Sequence, residues 1–210
     1  MSILQEMSTL LQQGRAPKVK ELVTQALEEG LSPKEILEEG LLSGMNIIGE
    51  KFKNNDIFVP EVLIAARAMN AGVEILKPHL TSSNIETKGT VVLGTVKGDL
   101  HDIGKNLVKI MLEGKGFNVV DLGVDVSPEA FVEKAKKCNA DIIACSALLT
   151  TTMTEMKNVV EKAIEAGIRD NVKIMIGGAP VTQSFCDSIG ADCYTSDAAS
   201  AASAAVQLCV

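Results

Sequence analysis

Over the first 80 residues, apolar positions recur at spacings of three and four, the period of one buried helical face. Ile3, Leu4, Met7, Leu10 and Leu11 form a first stripe. Pro17 suits the opening turn of a second helix, which runs through Leu22, Val23, Ala26 and Leu27 to a stop at Gly30. Ser32-Pro33-Lys34-Glu35 has the capping-box pattern and opens a third helix reaching about Phe52, before the turn-like Lys53-Asn54-Asn55-Asp56. Pro60 begins a fourth, through Leu63, Ile64, Arg67 and Met69 to about Leu76. Four helices with short connections predict a small bundle.

The rhythm changes after a polar, punctuated stretch, HLTSSNIETKG at 79–89, which has the composition of a linker. Beyond it, short apolar runs at Thr90–Val96, Asn118–Leu122, Asp141–Ser146 and Val172–Ile176, with a weak fifth near Asp192–Tyr194, read as strands. Helical patterns separate them at about 103–115, 128–138, 153–166, 181–189 and 197–208, and Ser127-Pro128 is an N-cap followed by a first-turn proline. Alternating strands and helices predict a doubly wound, Rossmann- or flavodoxin-like α/β domain with a parallel sheet. The expected organisation is a helical domain at 1–80, a linker at 81–89 and an α/β domain at 90–210.

Composition narrows the function. The 210 residues carry a net charge of −7, which disfavours a nucleic-acid surface. Aromatics are only 3%, too few for base-stacking platforms or a membrane belt. No apolar run approaches the roughly 20 residues of a spanning helix, and MSILQEMSTLLQQGR lacks the layout of a secretory signal. The expectation is a soluble cytoplasmic protein with neither nucleic acid nor membrane as partner. Five cysteines without a C-x-x-C pair fit buried, reduced thiols better than disulfides or zinc.

Sheets of this kind bind ligands at the carboxyl ends of their strands, so the loops there carry the candidate chemistry. After the first strand comes Gly94-Thr95-Val96-Lys97-Gly98-Asp99-Leu100-His101-Asp102-Ile103-Gly104-Lys105-Asn106, which is neither a dinucleotide fingerprint nor a phosphate loop. It offers one imidazole, His101, flanked by Asp99 and Asp102 and bracketed by Gly98 and Gly104. A carboxylate-held imidazole serves as a general base or a metal ligand; a surface histidine beside capping aspartates is the plainer alternative. The third strand ends in Ser146-Ala147-Leu148-Leu149-Thr150-Thr151-Thr152, a polar pocket wall or a helix cap. The fourth ends in Gly177-Gly178, room for a ligand or a tight turn. His79 reads as a solvated linker residue.

Asp99-x-His101-x-x-Gly104, followed by Ser146-x-Leu148 and Gly177-Gly178, resembles the cobalamin-binding signature of methionine synthase and of the corrinoid proteins of methyltransferase systems. GMNIIGEKFKNNDIFVPEV likewise resembles that family's helical cap. The resemblance implies a cobalamin or related corrinoid bound base-off/His-on: His101 is the cobalt ligand, Asp99 holds its far nitrogen, and Thr152 stands where the family usually carries serine. It implies a binding loop of Gly98, Asp99, Leu100, His101, Asp102, Ile103 and Gly104, with Leu148 also binding the cofactor and a nucleotide-tail channel lined by Ser146, Thr150, Gly177, Gly178 and Ala198. It also implies a cap in which Phe52 and Val59 shield a cobalt-bound methyl and Glu38 faces the corrin. Such a protein carries methyl between methylcob(III)alamin and cob(I)alamin states. Its expected partners are a substrate:corrinoid methyltransferase, an acceptor methyltransferase using tetrahydrofolate or coenzyme M, and a reductive activator. It is a carrier component rather than a complete enzyme. A mutase subunit shares the histidine loop, a light-sensing regulator would need a basic DNA-binding face, and a ligand-free interaction module leaves the three-part signature unexplained.

Overall fold

The four-residue repeat of Ile36, Gly40, Gly44 and Ile48 dictates the most irregular element of the chain. In an α-helix each step of four overshoots a full turn by about 40°, so a strict repeat of four drifts off the buried face. The computed structural model, which describes residues 2–80 and 87–209, shows how the drift is taken back. Helix α3 starts as Pro33–Glu35, widens into π-winding over Ile36–Leu42 and returns to α geometry over Ser43–Lys53. The Ser43 N–H accordingly reaches back five residues to the Glu38 carbonyl. Ile36, Gly40, Gly44 and Ile48 are all buried as a result. The uniform helix expected there is corrected on this point.

Three further helices complete the helical unit: α1, Ile3–Gln12; α2, Ala16–Glu28; and α4, Val59–Leu80. Its core holds Met7, Leu11, Val19, Val23, Ile36, Leu41, Met45 and Leu76. Ser2 and Gln5 close a full capping box on α1. At α3 the Ser32 hydroxyl accepts the Glu35 N–H, but the return bond joins hydroxyl to carboxylate, so only half of the expected box forms. Helix α4 begins one residue before Pro60 and continues through Pro78, so His79 lies in its last turn and not in a linker. Of the linker expected at 81–89, residues 81–86 lie outside the described residues.

The described residues divide into two compact units, one of 2–80 with 114–116, the other of 87–113 and 117–209. In the second, strands β1 (Thr90–Thr95), β2 (Asn118–Asp121), β3 (Ile142–Ser146), β4 (Lys173–Gly177) and β5 (Cys193–Tyr194) form one sheet in the order β2-β1-β3-β4-β5, all parallel. Helices α5 (Ile103–Gly114), α6 (Pro128–Cys138), α7 (Thr154–Glu165), α8 (Gln183–Ile189) and α9 (Ala198–Leu208) connect or follow them. The expected architecture, a helical bundle followed by a doubly wound parallel sheet, is the one observed. The order reverses between β1 and β3, which creates a crevice at their carboxyl ends. Thr95, Ser146 and Gly177 stand side by side there on β1, β3 and β4.

A core of Val92, Val96, Phe131, Ile143, Met156, Val159 and Ile174 lies on one side of this sheet. Phe131 explains why β1 carries a glycine in its interior: a Cβ on Gly94 would come within 2.8 Å of the Phe131 ring. The five cysteines are free, and burial pushes the Cys145 thiol up to about 12 and the Cys186 thiol up to about 11. Phe131→Ala is expected to destabilise the α/β unit by about 3–5 kcal/mol. Denaturant unfolding followed by circular dichroism measures this, and a loss below 1 kcal/mol would show that the ring is not the centre of that core.

Candidate functional site

Asp99 is completely buried, with 0% of its surface exposed, in a loop whose neighbours are open to solvent. A buried carboxylate needs compensating donors, and five converge on it. Its Oδ1 accepts the His101 N–H at 3.1 Å and lies 2.7 Å from the His101 Nδ1. Its Oδ2 accepts the Leu148 N–H at 2.8 Å, the Leu149 N–H at 3.2 Å and the Thr152 hydroxyl at 2.8 Å. Burial, the largest single effect, opposes ionisation of Asp99. The bonds from Leu148, the His101 ring, Thr152 and the His101 backbone together outweigh it and hold the carboxyl well below the usual carboxylate range.

An ionised Asp99 can only accept hydrogen bonds, so the His101 Nδ1 carries the ring proton and Nε2 presents a lone pair. The imidazole is half exposed, at 52% of its side-chain surface. Its main chain is also held, because the Thr95 hydroxyl donates to the His101 carbonyl at 2.9 Å.

The Thr152 methyl has a place of its own: a Cβ on Gly98 would lie 3.5 Å from it, an ordinary contact. Gly98 has a φ of +80°, a backbone conformation that favours glycine. Around the imidazole, Leu100 and Ile103 are 72% and 77% exposed, and Leu148 is also exposed. Apolar side chains this open beside one nitrogen donor form a surface suited to a flat ligand. Asp102 is exposed and accepts from the Asn106 side chain, fixing the start of α5. Gly104 has open space where a Cβ would stand.

Ser146 is half-buried at the end of β3, and Thr150 is exposed in the following turn. Gly177 closes β4, and a Cβ on Gly178, whose φ is +133°, would fall 1.8 Å from the Ala147 carbonyl oxygen. The two carboxyl-end loops therefore meet backbone against backbone. Ala198 is buried in the first turn of α9, which Asp197 caps.

Glu38, Phe52 and Val59 belong to the helical unit. Glu38 is exposed on the π-wound part of α3, 4.0 Å from the Lys34 ammonium. Phe52 and Val59, both half-buried, flank the turn between α3 and α4. Sequence reasoning missed Thr95 and the two N–H groups of Leu148 and Leu149. Thr95 reads as one more strand residue, and no side-chain pattern marks a backbone donor.

Among the described residues no group of three or more His, Cys, Asp or Glu could hold a bare metal ion. A single oriented imidazole fits instead a metal that arrives already ringed by ligands, as cobalt does in a corrin. The apolar surround and the glycine-lined strand ends fit the rest of such a molecule. The residues present therefore fit a corrinoid.

Comparison with known proteins agrees. Two family models, each described as a B12 binding domain, match residues 89–206 and 3–77. Trimethylamine corrinoid protein 1 of Methanosarcina acetivorans is 52% identical over 176 residues, 83% of this chain and 82% of that protein. Dimethylamine corrinoid protein 2 of the same organism is 47% identical over 208 residues, 98% of this chain and 95% of that protein. Among solved structures, the methanol:cobalamin methyltransferase complex MtaBC from Methanosarcina barkeri contains a chain that matches with a TM-score of 0.90 at 33% identity, covering 99% of this chain and 79% of that one. With both of its halves matched and relatives this similar over most of their length, the chain belongs to the family of B12-binding corrinoid proteins.

Proposed function

We propose that this protein is a corrinoid methyl carrier, charged by one methyltransferase and discharged by another. The observation that carries the reading is the buried Asp99 carboxylate, 2.7 Å from the His101 Nδ1, which leaves Nε2 free among exposed apolar side chains at the switch point of the sheet. A bound corrinoid supplies a cobalt centre able to take up and give up a methyl group. The protein supplies the rest.

His101 Nε2 would hold the corrinoid cobalt base-off/His-on, and Asp99 fixes the imidazole tautomer and raises its basicity. Thr152 keeps the Asp99 Oδ2 occupied. The ionised Asp99 would pair with an imidazolium as well as with the neutral ring. Leu100, Ile103 and Leu148 support the flat face of the ligand; Ser146, Thr150, Gly177, Gly178 and Ala198 accommodate its tail. The helical domain at 1–80 acts as the cap, with Phe52, Val59 and Glu38 facing the ligand, and 81–89 joins it to the α/β domain at 90–210. The relatives named for trimethylamine and dimethylamine favour a methylated amine as the donor. The acceptor is tetrahydrofolate or coenzyme M, and a reductive activator is the third partner.

The reading is tested by reconstituting the protein with methylcobalamin and recording its visible spectrum beside that of His101→Ala. A red wild type that keeps its colour through gel filtration, and a variant with a different spectrum, are the expected results. A colourless wild type would overturn the cofactor assignment; identical spectra would remove His101 as the ligand.

Removing the Thr152 hydroxyl leaves a buried charge short of one donor. Thr152→Val should destabilise the apoprotein by about 1–3 kcal/mol, while Thr152→Ser should lose less. Chemical denaturation measures both, and a Thr152→Val variant no less stable than Thr152→Ser would show that the hydroxyl's bond to Asp99 contributes nothing.

Because its folded-state pKa is depressed, Asp99 contributes stability that is complete above its unfolded pKa and is lost as pH falls toward the folded value. The stability gap between wild type and Asp99→Asn should therefore be constant near neutrality and shrink below about pH 4. A gap that closes instead between pH 6 and 8 would contradict the ionised carboxylate.

A further inference from the structure

The loop that carries His101 is open to solvent at Gly98, Leu100, His101 and Asp102. Asp99 anchors it from the β3 side. A second anchor comes from the opposite side, from the loop between β2 and α6. The Gly98 N–H donates to the Asp125 Oδ1 at 2.7 Å, and the Asp125 N–H donates to the Asp99 carbonyl at 3.0 Å. Side chain and main chain of one residue thus clamp consecutive residues just before the histidine. Both partners sit in the left-handed region, Gly98 at φ +80° and Asp125 at φ +54°. For a residue other than glycine this costs energy, and it persists where the surroundings over-determine it.

The β2–α6 loop is tied at its start by an ion pair whose lysine is buried and whose aspartate is partly so. Lys105, only 2% exposed, places its ammonium 2.7 Å and 2.8 Å from the two Asp121 oxygens and 2.7 Å from the Asn106 Oδ1. Asp121 ends β2, and its Oδ1 also accepts the Gly123 N–H at 2.9 Å. The Gly123 carbonyl then accepts the Thr95 N–H at 2.9 Å, and Thr95 in turn accepts from Val126 and holds the His101 carbonyl. Buried ion pairs contribute little net stability, because desolvation offsets their attraction. A bidentate, fully satisfied contact does fix position.

We propose that Asp125 is a positioning residue for His101, and that the Lys105–Asp121 pair seats the loop presenting it. This rests on the proposed role of His101 as cobalt ligand. The β2–α6 loop acts as a template that sets the height and lean of the imidazole, complementing Asp99, which sets its tautomer.

The test is the ratio of red, nitrogen-ligated to yellow, unligated absorption of methylcobalamin bound to wild type, Asp125→Gly and Asp125→Asn at fixed neutral pH. Asp125→Gly removes the side-chain half of the clamp, keeps the main-chain bond to the Asp99 carbonyl and relieves the left-handed strain, so a changed spectrum in the folded variant reads the loss of the Oδ1 contact. The yellow-to-red ratio should rise about 10-fold in Asp125→Gly, with corrinoid still retained through gel filtration. Asp125→Asn keeps the Oδ1 acceptor and should match wild type. Asp125→Ser, too short to span to Gly98, carries the same comparison should the glycine variant not fold. An unchanged ratio in the folded variants overturns the proposal. A wild type with no His101-dependent red species overturns the ligand role of His101 and this proposal with it, a result distinguishable because the wild type itself reports it.

Discussion

A negative charge placed out of reach of water must be surrounded by donors, and in this protein that requirement organises the whole upper edge of the sheet. Asp99 draws its five hydrogen bonds from the loop that contains it and from the loop after β3. Two chain segments about fifty residues apart in sequence are thereby locked in register, and the segment Leu148–Thr152 takes the form that lets three of its donors point the same way. The imidazole benefits as a consequence. Its orientation follows from a carboxylate that cannot itself move.

The scaffold beneath is arranged to make such an edge possible. Parallel pairing of β1 with β3 and of β3 with β4 brings three strand ends to one level, and the reversal of strand order opens the space between them. The packing of Phe131 against Gly94 fixes β1 from below, so the histidine loop grows from a strand held on both sides. In the helical unit a comparable compromise is visible in α3, where backbone winding yields so that a four-residue repeat stays on the buried face.

Much of this was legible in the sequence because it was written in side chains at fixed intervals. The shift from a helical to a strand period separated the bundle from the sheet, and Asp99, His101 and Gly104 announced a carboxylate-held imidazole at a strand end. What the sequence withheld was of another kind. The donors from Leu148 and Leu149 are backbone groups that any residue would supply. Thr95 looks like an ordinary strand residue until its neighbour's carbonyl is seen above it. Lys105 on α5 is almost wholly buried, which its local sequence does not announce, because its partner Asp121 lies sixteen positions away on β2. The π-winding of α3 was present in the spacing of Ile36, Gly40, Gly44 and Ile48, but the eye reads such a spacing as plain helix. The continuation of α4 past Pro78 shows the converse, a strong stop signal overridden by the surrounding helix.

Side-chain bulk falls in one direction along the aligned strand ends, from Thr95 on β1 through Ser146 on β3 to Gly177 on β4. Each step removes one heavy atom or more from the same level of the sheet. Bulk at the first position holds up the histidine loop, through the Thr95 hydroxyl on the His101 carbonyl, and its absence at the last lets the loops after β3 and β4 meet main chain to main chain.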